Sequence, residues 1–279
     1  MGTYKNQHSP VMVQEIIEIL KPSSSKMILD CTFGGGGHSR ALLAKGARVV
    51  ALDRDYKAVL RGHILAESEE NFKISWLRFS EMGLVFPQKS VDSVLFDFGL
   101  SSNQISDAEY GMSFMRSYPL VMNMGRNRLS AYDFVNFAKE REIADVLYNL
   151  GEERASFKIA RQIVEKRRYK KIKTTLELAN IVSTVVKRGD RHPATRTFQA
   201  IRMHINNELE EISKGLEIAE NLCKVGGRIV AITFHSLEDR IAKFFFKKFN
   251  KRNAIVLPSQ HEIKFNPRCR SAKLRWATI

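Results

Sequence analysis

The sequence has few cysteines and no long apolar segment. Its 279 residues include three cysteines, Cys31, Cys223 and Cys269, and no CxxC pair. This excludes a disulfide framework and a four-cysteine zinc site, and it favours a reducing compartment, the cytoplasm. No apolar run approaches the roughly 20 residues that cross a bilayer, and residues 1–8 lack the apolar core of a secretory signal. We therefore expect no membrane partner.

Acidic side chains are too few to balance the basic ones. Lys and Arg number 45 and Asp and Glu number 30, which leaves a formal net charge of +15. Such an excess favours a polyanionic partner, either a nucleic acid or an anionic lipid surface, although solubility alone would also account for it. The seven histidines show no metal-ligand spacing, so no metal site is expected.

Strand and helix signals alternate over the first hundred residues. Short apolar runs predict strands over residues 27–31, 48–53, 72–77 and 91–96, and amphipathic segments predict helices over 11–20, 38–45 and 56–66. Such an alternation with short connections indicates a parallel sheet covered by helices on both faces.

The pattern changes after about residue 105. Between residues 106 and 196 there is no convincing strand signal, and helices are predicted over 132–150, 154–168 and 174–187. Strand–helix order then returns, with a long helix over 198–222, a turn at Gly226-Gly227, a strand over 228–234, a helix over 237–249 and a closing antiparallel pair, 254–257 with 272–277. The prediction is an α/β fold, a Rossmann-like sheet formed by residues 1–105 and 197–279, with an all-helical insertion over 106–196.

A glycine-rich turn is the strongest local signal. The first predicted strand carries Asp30 and runs into the four glycines 34–37, which open a helix. Glycine permits positive φ and close approach of a ligand to the backbone. Asp53 lies 19 residues beyond Gly34 at the end of the next strand, where an acid accepts hydrogen bonds from ribose hydroxyls. The pair indicates an adenosine-type cofactor, and at this point NAD and S-adenosylmethionine both remain open.

Asp97-Phe98-Gly99 spells the DFG sequence of protein kinases, but the other kinase motifs are missing. Asp97 instead ends the fourth predicted strand. Ligands of open α/β sheets bind at the carboxyl ends of the strands. Asp97 is therefore a candidate active-site acid, or else a polar strand end.

Several stretches together resemble one family, the ribosomal RNA small-subunit methyltransferase H family, also called MraW. They follow the family's order nearly end to end: residues 30–40, 52–55, 99–104, 107–114, 151–154, 192–200, 234–240 and 266–268. The resemblance implies a class I methyltransferase fold, S-adenosylmethionine as the cofactor, and methylation of the exocyclic N4 of a cytidine in the decoding region of 16S rRNA. The partner would be 16S rRNA or a small-subunit particle. Whether the protein also forms a homodimer is left open by the sequence.

The resemblance also implies the site residues. The family's cofactor contacts fall on residues of matching type here: Gly36, Gly37, His38, Asp53, Phe79, Asp97 and Gln104. Catalytic candidates are Asp97, the polar run Ser101, Ser102 and Asn103, and His235. An acceptor for one N–H of the cytosine amino group would turn its lone pair toward the methyl group. His235 follows a strand directly; the alternative interpretation of this segment is helix capping, since Ser236 with Asp239 three residues on resembles a capping box.

One segment departs from the family. Where the family reads Leu-Asp-Met-Arg-Met-Asp, this chain has Leu-Val-Met-Asn-Met-Gly over residues 120–125, which removes two acids and an arginine. The departure motivates an alternative function, an RNA-binding ribosome-assembly factor with weakened or lost activity.

A basic stretch points to phosphate contacts. Residues 154–173 hold nine Lys or Arg and one acid, Glu165, and further basic side chains follow at Arg191, Arg196 and Arg202. Phosphate contacts make the affinity for a nucleic acid depend on salt and discriminate little between nucleotide sequences. The helical insertion is therefore the predicted RNA substrate domain.

Overall fold

The structure is a computed structural model that describes residues 10–125, 127, 129–187, 189, 192–249 and 255–279. The predictions for residues 1–8, Arg191 and Ala254 lie outside these residues. The chain divides into two compact units, one formed by Met1–Gly99 with Leu209–Ile279 and the other by Leu100–Glu208. The second unit extends beyond the predicted insertion at both ends. Within the described ranges, no helix has the length and apolar character that a membrane crossing needs.

The first unit contains a seven-stranded sheet in the order β3-β2-β1-β4-β5-β7-β6. The strands are β1 Met27–Asp30, β2 Arg48–Asp53, β3 Phe72–Trp76, β4 Val91–Asp97, β5 Cys223–Thr233, β6 Ile255–Val256 and β7 Lys273–Thr278. Strands β1 to β5 are parallel, and β7 pairs antiparallel with both β5 and β6. The predicted Rossmann-like α/β sheet and its closing antiparallel pair are confirmed.

Helices cover both faces of this sheet. Those of the first unit are α1 Val13–Leu20, α2 Gly37–Leu43, α3 Tyr56–Ser68, α10 Glu208–Leu222 (apart from its first residue), α11 Ser236–Lys247 and α12 Gln260–Phe265, with a short 3-10 helix at Phe79–Leu84. Side chains of β4 alternate between two apolar clusters, since Leu95 packs with Leu20 and Leu42 on one face while Phe96 packs with Leu216 on the other. A strand buried on both faces reads as a continuous apolar run, which is why the sequence predicted β4 well.

The second unit is helical. Its helices are α4 Ser102–Ser106, α5 Ala131–Phe137, α6 Glu140–Gly151, α7 Ser156–Tyr169, α8 Thr175–Val185 and α9 Thr195–Asn206. They enclose a core that includes Phe134, Leu147, Ile163 and Leu178. Among the residues described here, extended pairing in this unit is a single bridge between Pro119 and Thr174.

Two predicted helices are each broken in two. The helix predicted over residues 198–222 ends at Asn206, because Asn207 adopts φ +51°, a left-handed conformation that asparagine tolerates better than most residues. The helix predicted over 132–150 is interrupted because Ala138 and Lys139 are extended, and α6 begins directly after Lys139. The apolar periodicity continues across both breaks, so it could not reveal them.

The turn predicted at Gly226-Gly227 was wrong, because both residues lie inside β5. The register of β5 against β4 shifts between Val91 and Ser93, and Gly226 has φ +79° at this irregularity. Glycine in a strand often marks such a bulge.

Asn206 fixes residues 120–125, the segment that departs from the family pattern. Its side-chain oxygen accepts hydrogen bonds from the Met124 N–H at 2.7 Å and from Asn127 Nδ2 at 2.8 Å. Its Nδ2 donates to the carbonyls of Met122 and Arg202, both at 2.8 Å. Met122 has φ +56°, so this backbone is held in a conformation that it would not adopt by itself.

We expect Asn206→Asp to destabilise the protein by about 3 kcal/mol. The new carboxylate would be buried and would face two carbonyl oxygens in place of the amide donor. The free energy of unfolding in urea measures the loss. Asn149→Asp on the exposed side of α6 is the matched control and should change stability by less than about 0.5 kcal/mol. Equal stability of the two variants would contradict the role assigned to Asn206.

Candidate cofactor and catalytic site

The glycine turn joins β1 to α2 at the carboxyl edge of the sheet. Gly34 and Gly36 have φ +54° and +79°, and the Gly36 N–H donates to the Phe33 carbonyl at 2.7 Å. A Cβ on Gly36 would come within 2.7 Å of the Phe33 ring, and one on Gly37 within 2.7 Å of the Pro10 ring. The turn therefore needs glycine at 36 for conformation and at 37 for packing.

Asp53 ends β2 directly beside this turn. Its Oδ2 accepts a hydrogen bond from the Gly34 N–H and its Oδ1 accepts one from the Asp55 N–H, both at 2.8 Å. Burial raises the pKa of Asp53 to about 6, against the lowering effect of these two bonds. Each oxygen keeps a lone pair for a further donor, so the carboxylate is oriented before any ligand arrives.

Asp30 ends β1 beneath the same turn and is buried. Its Oδ2 accepts from the Ser39 hydroxyl at 2.6 Å and its Oδ1 accepts from the Thr32 N–H at 3.2 Å. Burial raises the pKa of this carboxyl, and the positive potential of His38 opposes the rise. Asp30 thus links the start of the turn, through Thr32, to the first turn of α2, through Ser39.

Arg61 is a site residue that the sequence analysis missed. Its guanidinium donates from Nη2 and Nε to the Gly34 carbonyl, at 3.2 and 3.4 Å. Gly34 is thus held through its carbonyl by Arg61 and through its N–H by Asp53. Arg61 lies in the middle of α3, where an arginine carries no motif that could have indicated this contact.

We expect Arg61→Met to weaken the binding of S-adenosylmethionine about fivefold, because the loss of the guanidinium frees the Gly34 carbonyl and loosens the turn. Isothermal titration calorimetry measures the dissociation constant. Arg61→Lys should recover part of the affinity, and Arg48→Ala, an exposed arginine on β2, serves as the control. An unchanged dissociation constant for Arg61→Met would show that the contact does not support the turn.

Asp97 ends β4 next to the turn. Its backbone N–H donates to the Thr32 hydroxyl at 2.7 Å, which ties the end of β4 to the end of β1. Its Oδ2 lies 3.7 Å from Nδ1 of His38. Its Oδ1 is buried and has no hydrogen-bond partner among the residues that the structure describes. A buried acceptor without a donor is costly, and an amide, amine or hydroxyl of a ligand would satisfy it.

His38 is the nearest basic side chain to Asp97 and is itself held by a hydrogen bond. Its Nε2 lies 2.8 Å from the Val11 carbonyl oxygen, and since a carbonyl only accepts, this nitrogen carries the proton. His38 is therefore oriented by the backbone just before α1, with Nδ1 directed at the carboxylate of Asp97. Burial raises the pKa of Asp97 to about 6, His38 lowers it, and the Asp30 and Glu238 carboxylates raise it.

Phe79 follows β3 and belongs to an aromatic cluster. Its ring lies 5.5 Å from that of Phe96 and 6.0 Å from that of Phe98. It is only partly buried, and it also packs so closely on α10 that a Cβ at Gly215 would meet it at 2.4 Å. The cluster holds Phe79 as a rigid apolar surface at this edge of the sheet.

The candidates Ser101, Ser102, Asn103 and Gln104 lie in the second unit, at the start of α4. Ser101 caps this helix, since its hydroxyl accepts from the Gln104 N–H at 3.3 Å while Gln104 Oε1 accepts from the Ser101 N–H at 3.0 Å. Gln104 is buried. The reciprocal bonds give Ser101 and Gln104 a structural role in addition to the predicted one.

His235, rather than Ser236, caps α11. The Glu238 N–H donates to its Nδ1 at 3.5 Å, and the Glu238 carboxylate accepts from the backbone N–H of Phe234 at 2.8 Å. His235 Nε2 lies 2.9 Å from Glu238 Oε1. The capping box suggested at Ser236 and Asp239 was therefore wrong by one residue, and Asp239 instead pairs with the buried Arg275 at 2.7 Å.

Residues 120–125 alternate between inward and outward positions. Leu120, Met122 and Met124 are buried in the core of the second unit, whereas Gly125 is exposed. Positions 121, 123 and 125, which alternate with these buried residues, are the ones at which the family carries Asp, Arg and Asp. The departure therefore leaves the apolar packing intact and removes charge from the outer side of the segment.

Comparisons with known proteins agree with the resemblance found in the sequence. A sequence model described as the MraW methylase family matches residues 5–279. A protein of Paramagnetospirillum magneticum is 43% identical, covering 97% of this chain and 95% of its own, and one of Ehrlichia canis is 42% identical, covering 96% and 98%. Both carry the name ribosomal RNA small subunit methyltransferase H.

Two solved structures show a distant resemblance to the chain. An rRNA methylase from Streptococcus thermophilus has a TM-score of 0.46 at 9% identity, covering 95% of this chain and 92% of its own. A putative methyltransferase from Streptococcus mutans in complex with SAH has a TM-score of 0.42 at 11% identity, covering 95% and 94%.

Proposed function

Since the chain belongs to the MraW methylase family, we propose that it transfers a methyl group from S-adenosylmethionine to the exocyclic N4 of a cytidine in the decoding region of small-subunit ribosomal RNA. The observation that carries this proposal is the pair of buried carboxylates, Asp53 and Asp97, on the two sides of the glycine turn. Asp53 is oriented by two backbone donors, and Asp97 keeps one acceptor free among the residues described.

The residues present fit an adenosine-type methyl donor. Asp53 offers a lone pair on each oxygen to the two ribose hydroxyls. Gly36 and Gly37 let the backbone of the turn approach the ligand, and Phe79 offers an apolar surface for the adenine. His38 orients the Asp97 carboxylate, and Gln104 remains the further cofactor contact that the family resemblance implies.

The chemistry requires positioning more than acid–base power. The cofactor, when bound, supplies the electrophilic methyl group. The amino nitrogen of cytosine is a poor nucleophile, because its lone pair is delocalised into the ring. Asp97, ionised above about pH 6, can accept one N–H of that group and hold the lone pair toward the methyl carbon. Ser101, Ser102, Asn103 and His235 are proposed to contact the base or the adjoining phosphate.

We place RNA recognition in the helical insertion over residues 106–196. Its basic stretch supplies phosphate contacts, and the net charge of +15 favours binding to a polyanion. A base must leave its stack to reach a methyl donor, which suits a single-stranded or locally opened substrate. The proposed partner is 16S rRNA or the small-subunit particle, in the cytoplasm.

The decisive experiment transfers radiolabelled methyl groups onto small ribosomal subunits that lack the modification. Label in 16S rRNA that digests to N4-methylcytidine supports the proposal, and label on another atom or another nucleoside contradicts the assigned target. A protein that binds the particles and S-adenosylmethionine without transferring label would instead be an assembly factor, the function suggested by the lost charges at positions 121, 123 and 125. Restoring them with Val121→Asp, Asn123→Arg and Gly125→Asp then tests whether the departure is the cause.

A further inference from the structure

The nine basic residues of the stretch 154–173 fall into two sets. Four are engaged within the second unit: Arg161 pairs with Glu165 at 3.0 Å, Arg167 donates to the carbonyls of Val135 and Ala138, Lys170 pairs with Glu177 at 3.1 Å, and Lys171 lies 4.4 Å from the centre of the Phe137 ring. The side chains of the other five are exposed and have no hydrogen bond or ion pair in the described part of the chain: Arg154, Lys158, Lys166, Arg168 and Lys173.

The pattern follows from the geometry of α7. Its buried side is formed by Ser156, Ile159, Ala160 and Ile163. Arg167 falls near that side and reaches the end of α5, so its charge is not available to a ligand. Sequence alone counted it with the others, because a run of basic letters does not show which side chains turn inward.

Tyr169 stands among the unpaired cations. At 100° per residue, Lys158, Lys166 and Tyr169 lie within about 80° of one another around the helix, over a length of about 16 Å. Arg168 lies about 100° from Tyr169 around the helix, so it flanks this face in the last turn. Tyr169 is 91% exposed, an unusual position for a large ring with no role in packing.

We propose that Lys158, Lys166 and Tyr169, flanked by Arg168, form a docking ridge on α7 for a single-stranded segment of the RNA substrate, with Tyr169 stacked on an unpaired base. This deepens the proposed function and rests on it. The three cations supply phosphate contacts, and the charge of the ridge is complementary to RNA. An exposed ring adds nothing to backbone contacts with a duplex, but it provides a platform for a base that is not already stacked.

Binding of a fluorescent single-stranded uridine 12-mer tests the ridge. Tyr169→Ala should weaken the affinity about tenfold, by loss of one stacking contact. The triple variant Lys158→Ala, Lys166→Ala and Arg168→Ala should lower the slope of log affinity against log salt by about 2, since each phosphate contact on a single strand contributes about 0.7. Thermal unfolding should be unchanged, because all four side chains project into solvent.

The matched controls are on α11, where Phe244 is 77% exposed and Lys243 and Lys247 are also exposed. Phe244→Ala and the double variant Lys243→Ala with Lys247→Ala should leave affinity and slope near those of the wild type.

Three outcomes would each overturn the proposal: equal losses of affinity for the α7 and α11 variants, no loss for the α7 variants, or a larger loss for a 12-base-pair duplex than for the single strand. The assay needs no methyl transfer, so a ridge that binds RNA in a protein that transfers no label would refute the proposed function and leave the ridge standing.

Discussion

Replacing Asp53 with asparagine is expected to weaken the binding of S-adenosylmethionine about 100-fold. Hydrogen bonds to a charged group contribute about 1.5–3 kcal/mol each, and the variant converts a double acceptor into a group with one acceptor and one donor. Its amide would also face the N–H of Gly34 or of Asp55, both of which now donate to the carboxylate. Isothermal titration calorimetry at pH 7.5 measures the dissociation constant, and titration with NAD in its place should give no heat of binding.

The charge of Asp53 also predicts a pH dependence. Because its pKa is raised to about 6, the carboxylate is ionised at pH 7.5 and becomes protonated as the pH falls through 6. Wild-type affinity should therefore fall below about pH 6, whereas the affinity of Asp53→Asn should stay low and flat over the same range. Asp145→Asn, on the exposed surface of α6, is the control for loss of a carboxylate. A dissociation constant for Asp53→Asn within threefold of the wild type would remove Asp53 from the ribose site.

Replacing Asp97 with asparagine is expected to lower the rate of methyl transfer at saturating cofactor about 100-fold or more, the range that a positioned acid–base group contributes. The amide nitrogen of the variant cannot accept the N–H of the cytosine amino group, and its oxygen is a weaker acceptor than a carboxylate. Single-turnover transfer to unmodified small subunits measures the rate. Full turnover by Asp97→Asn or Asp97→Ala at saturating cofactor would show that another group orients the nucleophile.

The pH profile separates this role from a purely structural one. The wild-type rate should fall below about pH 6 as Asp97 takes up a proton, and the rate of Asp97→Asn should lack that limb. The ionisation of Asp97 is expected to affect stability in the opposite direction from the rate. A carboxyl whose pKa is raised on folding binds its proton more tightly in the folded state, so its ionisation lowers stability as the pH rises from about 4 to about 6. Asp97→Asn should therefore unfold at pH 7.5 at a temperature no lower than the wild type, and a large decrease would mean that the lost activity reflects misfolding.

The sequence was most informative where a local pattern has a single physical cause. Four consecutive glycines after a buried strand indicated a turn with positive φ, and Gly34 and Gly36 have it. The acid at the end of the next strand was predicted to lie beside that turn, because neighbouring parallel strands end at the same edge, and Asp53 accepts the Gly34 N–H. The alternation of strands and helices was sufficient to predict the sheet.

It was least informative where a side chain finds its partner far along the chain. Arg61 acts on a turn 27 residues earlier. Asn206 holds a segment about 80 residues earlier through three of the four hydrogen bonds of its side chain, those to Met122, Met124 and Asn127. His235 caps its helix although histidine is not a common capping residue, and the usual preference for serine led the prediction to its neighbour.

Composition and periodicity by themselves determined that this chain is an α/β protein with a nucleotide-type turn and a strong positive charge, because these properties depend on residues close together in sequence. The tertiary structure alone decided which of those residues are available to a ligand. It left Asp97 at the end of β4 with one buried oxygen unpaired among the residues described, turned Arg167 inward and left Tyr169 in solvent. Burial and pairing depend on what packs against each side chain, and that is set by segments far away along the chain.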